Sequence, residues 1–305
     1  MSPPASHLLD SLPADLSQQL KGHVDQALLN FTRPNSTSQF GQNAPVLAKF
    51  REAIAQGDSK DDIEFLRHFR ALVPITSYEH YEPFVTKFFA TPCKEVDVKD
   101  MLAPGLPYFL ARSSATSGKE SKFFPQYRPQ PQYLRHPIYL TIPSSEGTIF
   151  APSSLKYANV LKIDLEDGQS SEKLLVCSLS SGITRMLMNW DVEHDMDRLD
   201  LWVPGQTAPF AVTILESHRS FFFLHALFAL ADSRVATMSF LFASAFVSVL
   251  HYIQEEWFLL LDCIEMGIIP DLENINHVRE ALKKHFPANP ARAAELREIG
   301  PPWCH

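Results

Sequence analysis

The stretch Ser113-Ser114-Ala115-Thr116-Ser117-Gly118-Lys119-Glu120-Ser121-Lys122 gathers the residue types that hold a phosphate. Ser113, Ser114, Thr116 and Ser117 bring four hydroxyls within five residues, beside Gly118 and two lysines. Small residues let the backbone curl so that successive N–H groups point at one anion. Hydroxyls add donors, and a lysine supplies a point charge for phosphate oxygens. This composition suits a triphosphate. It is not a Walker loop, because Ser113 and Glu120 stand where that motif needs Gly and Ser or Thr. A polar surface turn has a similar composition, so the chemistry is left open by these residues alone.

Such a loop needs elements on both sides. Residues 108–111 and 122–124 are strand candidates that flank it. Upstream, helices are expected over residues 14–31 and 44–56. Ser59 opens a capping box for a third helix, whose apolar face is Ile63, Leu66, Phe69 and Val73 and whose end is Pro74. From 137 to 217 the pattern is strand-rich, with candidates at 138–142, 158–163, 174–179 and 211–215. The acid-rich stretch 191–200 reads as a solvated loop. After 217 come a helix at 221–231, a buried strand at 235–243, an amphipathic helix over 246–264 stopped by Gly267, a helix marked by Ile275, Val278 and Leu282, and a last helix at 291–299. The expectation is a mixed α/β fold. Residues 1–75 form a helical segment, 76–216 a strand-rich part carrying the loop, and 217–305 a strand followed by helices packed on sheet.

Composition excludes several classes. The 305 residues are 45% hydrophobic and 20% charged, as in globular chains. The net charge of −8 opposes nonspecific nucleic-acid binding, which needs a basic surface to displace counterions. Cys93, Cys177, Cys263 and Cys304 form no C-x-x-C pair, so no zinc or redox motif is supported, and Cys177 and Cys263 read as buried thiols. No metal site is expected from the protein's own side chains. His194, His218, His225 and His251 are scattered, and Met186 and Met188, in a strand-like run, read as packing residues. The N-terminus lacks a basic region before an apolar stretch, so a cytoplasmic protein is expected. A membrane-associated scaffold built on 221–253 is the alternative, weakened by the amphipathic pattern of residues 246–264.

Ser-Ser-x-Thr-Ser-Gly-x-x-x-Lys-x-x-Pro, from Ser113 to Pro125, resembles the first ATP motif of the acyl acid amido synthetases, the auxin-responsive Gretchen Hagen family of the adenylate-forming superfamily. Val73-Pro74-Ile75-Thr76-Ser77-Tyr78-Glu79 is similar to that family's Val-Pro-x-x-x-Tyr-Glu segment, and Phe242-Ala243-Ser244 with Trp257 to its later strand–helix junction. The pattern is closer to fungal members than to plant ones.

The resemblance implies an N-terminal adenylation domain. In it, Ser113, Ser114, Thr116, Ser117 and Gly118 would contact ATP phosphates and Lys122 would neutralise their charge. It implies ATP with Mg²⁺, a small carboxylic acid and an amine or amino acid as partners. The acid is adenylated and its acyl group passes to the amine. Ala115 and Lys119 replace two family glycines. No Tyr-x-x-Gly-Asp-like segment is present. The adenine and ribose contacts and the C-terminal domain are therefore expected to be missing, as in a truncated chain. The alternative is a non-catalytic nucleotide- or acid-binding pseudoenzyme or interaction module.

Overall fold

The computed structural model describes residues 12–56, 61–113, 121–128 and 147–302. The chain is mixed α/β and forms two compact units, residues 1–127 with 159–176, and residues 128–158 with 177–305. Its strands are β1 Cys93–Lys94, β2 Phe109–Arg112, β3 Phe123–Gln126, β4 Thr148–Phe150, β5 Tyr157–Asp164, β6 Ser171–Cys177 and β7 Val235–Met238. Its main helices are α1 Ala14–Asn35, α2 Ala48–Gln56, α3 Asp62–Leu72, α4 Leu179–Met188, α5 His218–Ala231, α6 Ala243–Glu255, α7 Trp257–Met266, α8 Arg279–Lys284 and α9 Pro290–Ile299.

In the first unit, α3 begins one residue after its cap. Asp61, rather than the expected Ser59, accepts from the N–H groups of Ile63 at 2.9 Å and Glu64 at 3.2 Å. A carboxylate also complements the positive helix start, which a hydroxyl does not. Ser59 itself lies outside the described residues. The buried face is Phe65 and Leu66, while Ile63 is 82% exposed, so the expected apolar face is rotated. Phe50 of α2 packs edge-on against Phe65 at 5.3 Å and Phe69 at 5.7 Å. Such pairs add roughly 0.5–1.5 kcal/mol beyond the area they bury.

The five-stranded sheet of this unit has the order β1-β5-β6-β2-β3. β1 runs parallel to β5, and β2 antiparallel to β3. Leu110, Ile163, Leu174 and Val176 bury one face against Phe88, Val98 and Met101. The tight turn between β5 and β6 places Gly168 at φ 68°, and Asp167 accepts from the N–H groups of Gln169 and Ser170. The expected strands 108–111, 122–124, 158–163 and 174–179 match β2, β3, β5 and β6 within two or three residues at their ends. The candidate at 138–142 lies outside the described residues.

In the second unit α5 is the hub. Phe221, Phe223, Leu224, Leu227 and Phe228 are all buried, so the helix is apolar nearly all round, as a central helix must be. The helix expected over 246–264 breaks at Glu256, where φ −100° and ψ 15° end α6 and start α7. Arg219 holds the Glu256 carboxylate at 2.6 Å. Gly267 ends α7 at φ 68°, and a Cβ there would sit 2.4 Å from the Ala288 nitrogen, so both conformation and space demand glycine.

Four expectations fail here. Residues 211–215 are not a strand, because Phe210–Thr213 is a short helix buried along its length. A brief apolar run carries no period that separates the two. Met186 and Met188 lie on α4, not in a strand. Strand β7 pairs with β4 but is not buried, and Met238, Leu241 and Phe242 are 54%, 78% and 69% exposed. Finally, 191–200 is not simply solvated. Asp195 makes a bidentate pair with Arg185, both N···O distances being 2.8 Å, while the Arg185 side chain is fully buried. Arg185 Nε donates to the Leu155 carbonyl at 2.7 Å. Although burial alone would raise the Asp191 carboxyl, hydrogen bonds from His194 and Arg198 hold it well below the usual carboxylate range.

Cys93, Cys177 and Cys263 are buried free thiols, and burial pushes the latter two up to about 11, which makes them unreactive. Among the described residues no helix is long and apolar enough to cross a membrane.

This packing leads to two expected outcomes. Asp195→Ala removes the carboxylate that compensates the buried Arg185 guanidinium and is expected to cost about 3–5 kcal/mol in chemical denaturation. His225, 1% exposed on α5, is pushed down to about 3 by burial. Its neutral form is the one that folds, so its contribution is complete above pH 6.5 and is lost as pH falls towards 3. Denaturation between pH 6.5 and 5, above the carboxylate range, should show stability falling by up to about 1.4 kcal/mol per pH unit, and His225→Phe should flatten that slope.

Candidate functional site

β2 and β3 form the hairpin that carries the hydroxyl-rich loop. Their register is Phe109↔Gln126, Leu110↔Pro125, Ala111↔Phe124 and Arg112↔Phe123. Beyond the last pair, the Ser113 N–H donates to the Lys122 carbonyl at 2.8 Å. The Lys122 N–H in turn donates to Ser113 Oγ at 3.0 Å. This exchange closes the neck of the loop. One lone pair of the Ser113 hydroxyl is thereby used, and its proton stays available to a ligand. Ser114, Thr116, Ser117 and Gly118, the other expected phosphate contacts, lie outside the described residues.

β3 is the edge strand of its sheet and needs support on its outer side. Tyr78 supplies it. Its hydroxyl accepts from the Phe123 N–H at 3.1 Å, and its ring meets Phe124 edge-on at 5.5 Å. The Lys122 ammonium lies over the same ring, 5.2 Å from its centroid. Tyr78 is fixed by its own turn. Ser77 caps Tyr78–His80, with the Ser77 N–H donating to His80 Nδ1 at 3.1 Å, and the Thr76 and Tyr81 hydroxyls share a 2.7 Å hydrogen bond. The Val-Pro-x-x-x-Tyr-Glu segment is thus a buttress for the hairpin, a role its sequence does not disclose.

The electrostatics are set by these contacts. An aromatic face restrains an ammonium without neutralising it, at a gain of about 0.5–1 kcal/mol for an exposed pair. Among the described residues Lys122 makes no ion pair. Arg112, which belongs to no motif in the sequence, also flanks the neck. Its Nε donates to Ser121 Oγ at 3.1 Å, and it too makes no ion pair among the described residues. The one sequence signal for it is its place directly before Ser113. Two cations without carboxylate partners among the described residues, at the neck of a hydroxyl-rich loop, fit an anion. No group of His, Cys, Asp or Glu suited to a metal is found among the described residues.

Tyr78→Phe removes the acceptor for the Phe123 N–H and keeps the ring. A loss of about 0.5–1.5 kcal/mol is expected, together with faster amide hydrogen exchange at Phe123. Unchanged exchange there would show that Tyr78 does not buttress the hairpin.

Comparison with curated proteins finds no match. Two solved structures share the fold. One, of a GH3.15 acyl acid amido synthetase, is 17% identical with a TM-score of 0.57, covering 91% of this chain and 44% of that one. The other, of the AtGH3.15 acyl acid amido synthetase in complex with 2,4-DB, is 18% identical with a TM-score of 0.55, covering 94% of this chain and 44% of that one. The chain therefore spans less than half the length of either. The GH3 family N-terminal domain matches residues 15–303, nearly the whole sequence. The chain belongs to the GH3 family and carries its N-terminal domain.

Proposed function

We propose that this chain is the phosphate-holding, N-terminal part of an ATP-dependent acyl acid amido synthetase of the adenylate-forming kind. The observation that carries the reading is the closed hairpin neck, which holds a loop rich in hydroxyls and backbone N–H groups between two cations without carboxylate partners among the described residues. Membership of the GH3 family supports it, as does the fold shared with two amido synthetases.

In this reading the carboxylate of a small acid attacks the α-phosphorus of ATP. Pyrophosphate leaves as the acyl-adenylate forms, and an amine or amino acid then attacks its acyl carbon and releases AMP. Mg²⁺, bound with ATP, would supply charge stabilisation to the phosphates. The chain's own part is positioning and charge stabilisation, which dominate phosphoryl chemistry. Ser113, Ser114, Thr116, Ser117 and Gly118 bind the phosphate oxygens through hydroxyl and backbone donors. Lys122, steadied on Tyr78, and Arg112 offset charge on the leaving group. The reaction belongs in the cytoplasm, where ATP is abundant. The fungal-like character of the motif belongs to the same reading.

ATP·Mg²⁺ titrated into the chain by calorimetry tests it. Binding is expected, weakened by at least tenfold in the Ser117→Ala, Lys122→Ala double variant, because each lost charge-assisted hydrogen bond is worth about 1.5–3 kcal/mol. Arg112→Ala should weaken binding less and reduce its salt dependence. A folded native chain that does not bind ATP·Mg²⁺ would mean that it lacks the adenine half of the site or is a non-catalytic pseudoenzyme or interaction module.

A further inference from the structure

The first unit holds a cavity of about 570 Å³ to which no hairpin residue contributes. That volume lies within the roughly 300–1,000 Å³ range of small-molecule pockets. The rings of Phe40, Phe50 and Phe69 line it. Phe31 and Ile75 line it as well and are 71% and 101% exposed. Large apolar side chains left in water beside an apolar hollow mark a surface that gains by being covered.

Its polar atoms are nearly all spoken for within the fold. Thr32 donates to the Leu28 carbonyl and Ser36 to the Arg33 carbonyl, each at 2.7 Å, and Thr76 and Tyr81 bond each other. Arg51 differs. Its Nη1 donates to the Ala44 carbonyl at 2.7 Å and reaches the Gly41 carbonyl at 3.4 Å. Those carbonyls fix the guanidinium but do not cancel its charge. Among the described residues it makes no ion pair, and Nε and Nη2 donate to no protein acceptor. It is also the one charged side chain lining the cavity among the described residues. An oriented, uncompensated guanidinium in an apolar wall is complementary to a single carboxylate on an apolar body.

We propose that this cavity binds an organic acid with an apolar body, its carboxylate paired with Arg51. A carboxylate held there is engaged by Arg51 and not by the loop, so this is a site for a non-reacting ligand, distinct from the acid that would meet ATP. Binding here does not depend on the loop being a nucleotide site.

Calorimetry without nucleotide tests it with three probes, decanoate, biphenyl-4-carboxylate and decanol. At least one acid should bind ten times or more tighter than decanol, the worth of one charge-assisted contact. The better acid shows whether the natural body is aliphatic or aromatic. Arg51→Gln should abolish the preference for acid over alcohol, Arg51→Lys should keep most of it, and the Ser117→Ala, Lys122→Ala variant should leave it untouched. Circular dichroism reports whether each variant is folded. If Arg51→Gln does not fold, the native chain's acid-to-alcohol ratio and the Arg51→Lys variant decide the matter. The proposal is overturned if the folded native chain binds neither acid, if decanol binds as tightly as decanoate, or if Arg51→Gln keeps the preference.

Discussion

The pairing of Ser113 with Lys122 is the constraint on which the candidate site depends. Bringing the two ends of a loop together costs conformational entropy, and a hairpin left to itself is marginally stable in water. The chain meets that cost from both sides. On the inner side β2 is fully buried at Phe109 and Leu110 and fixed beside β6 in the sheet. On the outer side Tyr78 caps the Phe123 N–H of an edge strand and packs edge-on against Phe124. The same ring restrains the Lys122 ammonium. One tyrosine therefore closes the hairpin and orients the cation next to the loop, which explains why a segment of another part of the chain accompanies the loop motif.

In the second unit the corresponding constraint is the Arg185–Asp195 pair. Burying a guanidinium is costly unless every donor finds an acceptor. Arg185 directs Nε to the Leu155 carbonyl and one N–H from each Nη to the Asp195 carboxylate. The surrounding acids are organised by the same requirement, since Arg198 lies 3.6 Å from Asp195 and also bonds Asp191. The stretch 191–200 thus acts as a brace that carries negative charge because a buried cation needs it.

These two constraints mark how far the sequence can be read. A long segment such as α1 is legible because amphipathic spacing is local, and α5 is legible as a continuous apolar run too long for a strand. Gly267 is legible because a left-handed helix end has a residue of its own. The strands beside the loop are legible from their aromatic runs and from the turn residues between them. Arg185 is not legible, because its partner is chosen by tertiary structure and an arginine near acids is commonplace. The run 211–215 misleads because a few buried apolar residues fit a strand and a single helical turn equally. Tyr78 is legible as part of a resemblance, but its role is not, since a hydrogen bond to Phe123 spans 45 positions. Arg51 gives no signal at all, because what distinguishes it is the charge its neighbours leave unpaired.

Charge bears on what the candidate site could hold. A chain of net charge −8 repels a polyanion at long range. At short range the balance is reversed only where cations are left unspent, since a lysine already paired with a carboxylate offers a phosphate little net attraction. Among the described residues, Arg112 and Lys122 at the hairpin neck meet that condition. The two departures from the family pattern bear on the same balance. Ala115 and Lys119 give up backbone freedom that glycine would supply, and the positive charge that Lys119 brings is matched by the neighbouring Glu120. In a loop whose ends are already fixed, the freedom lost costs less than it would in an open turn, because the neck has removed most of the conformations that glycine would have allowed.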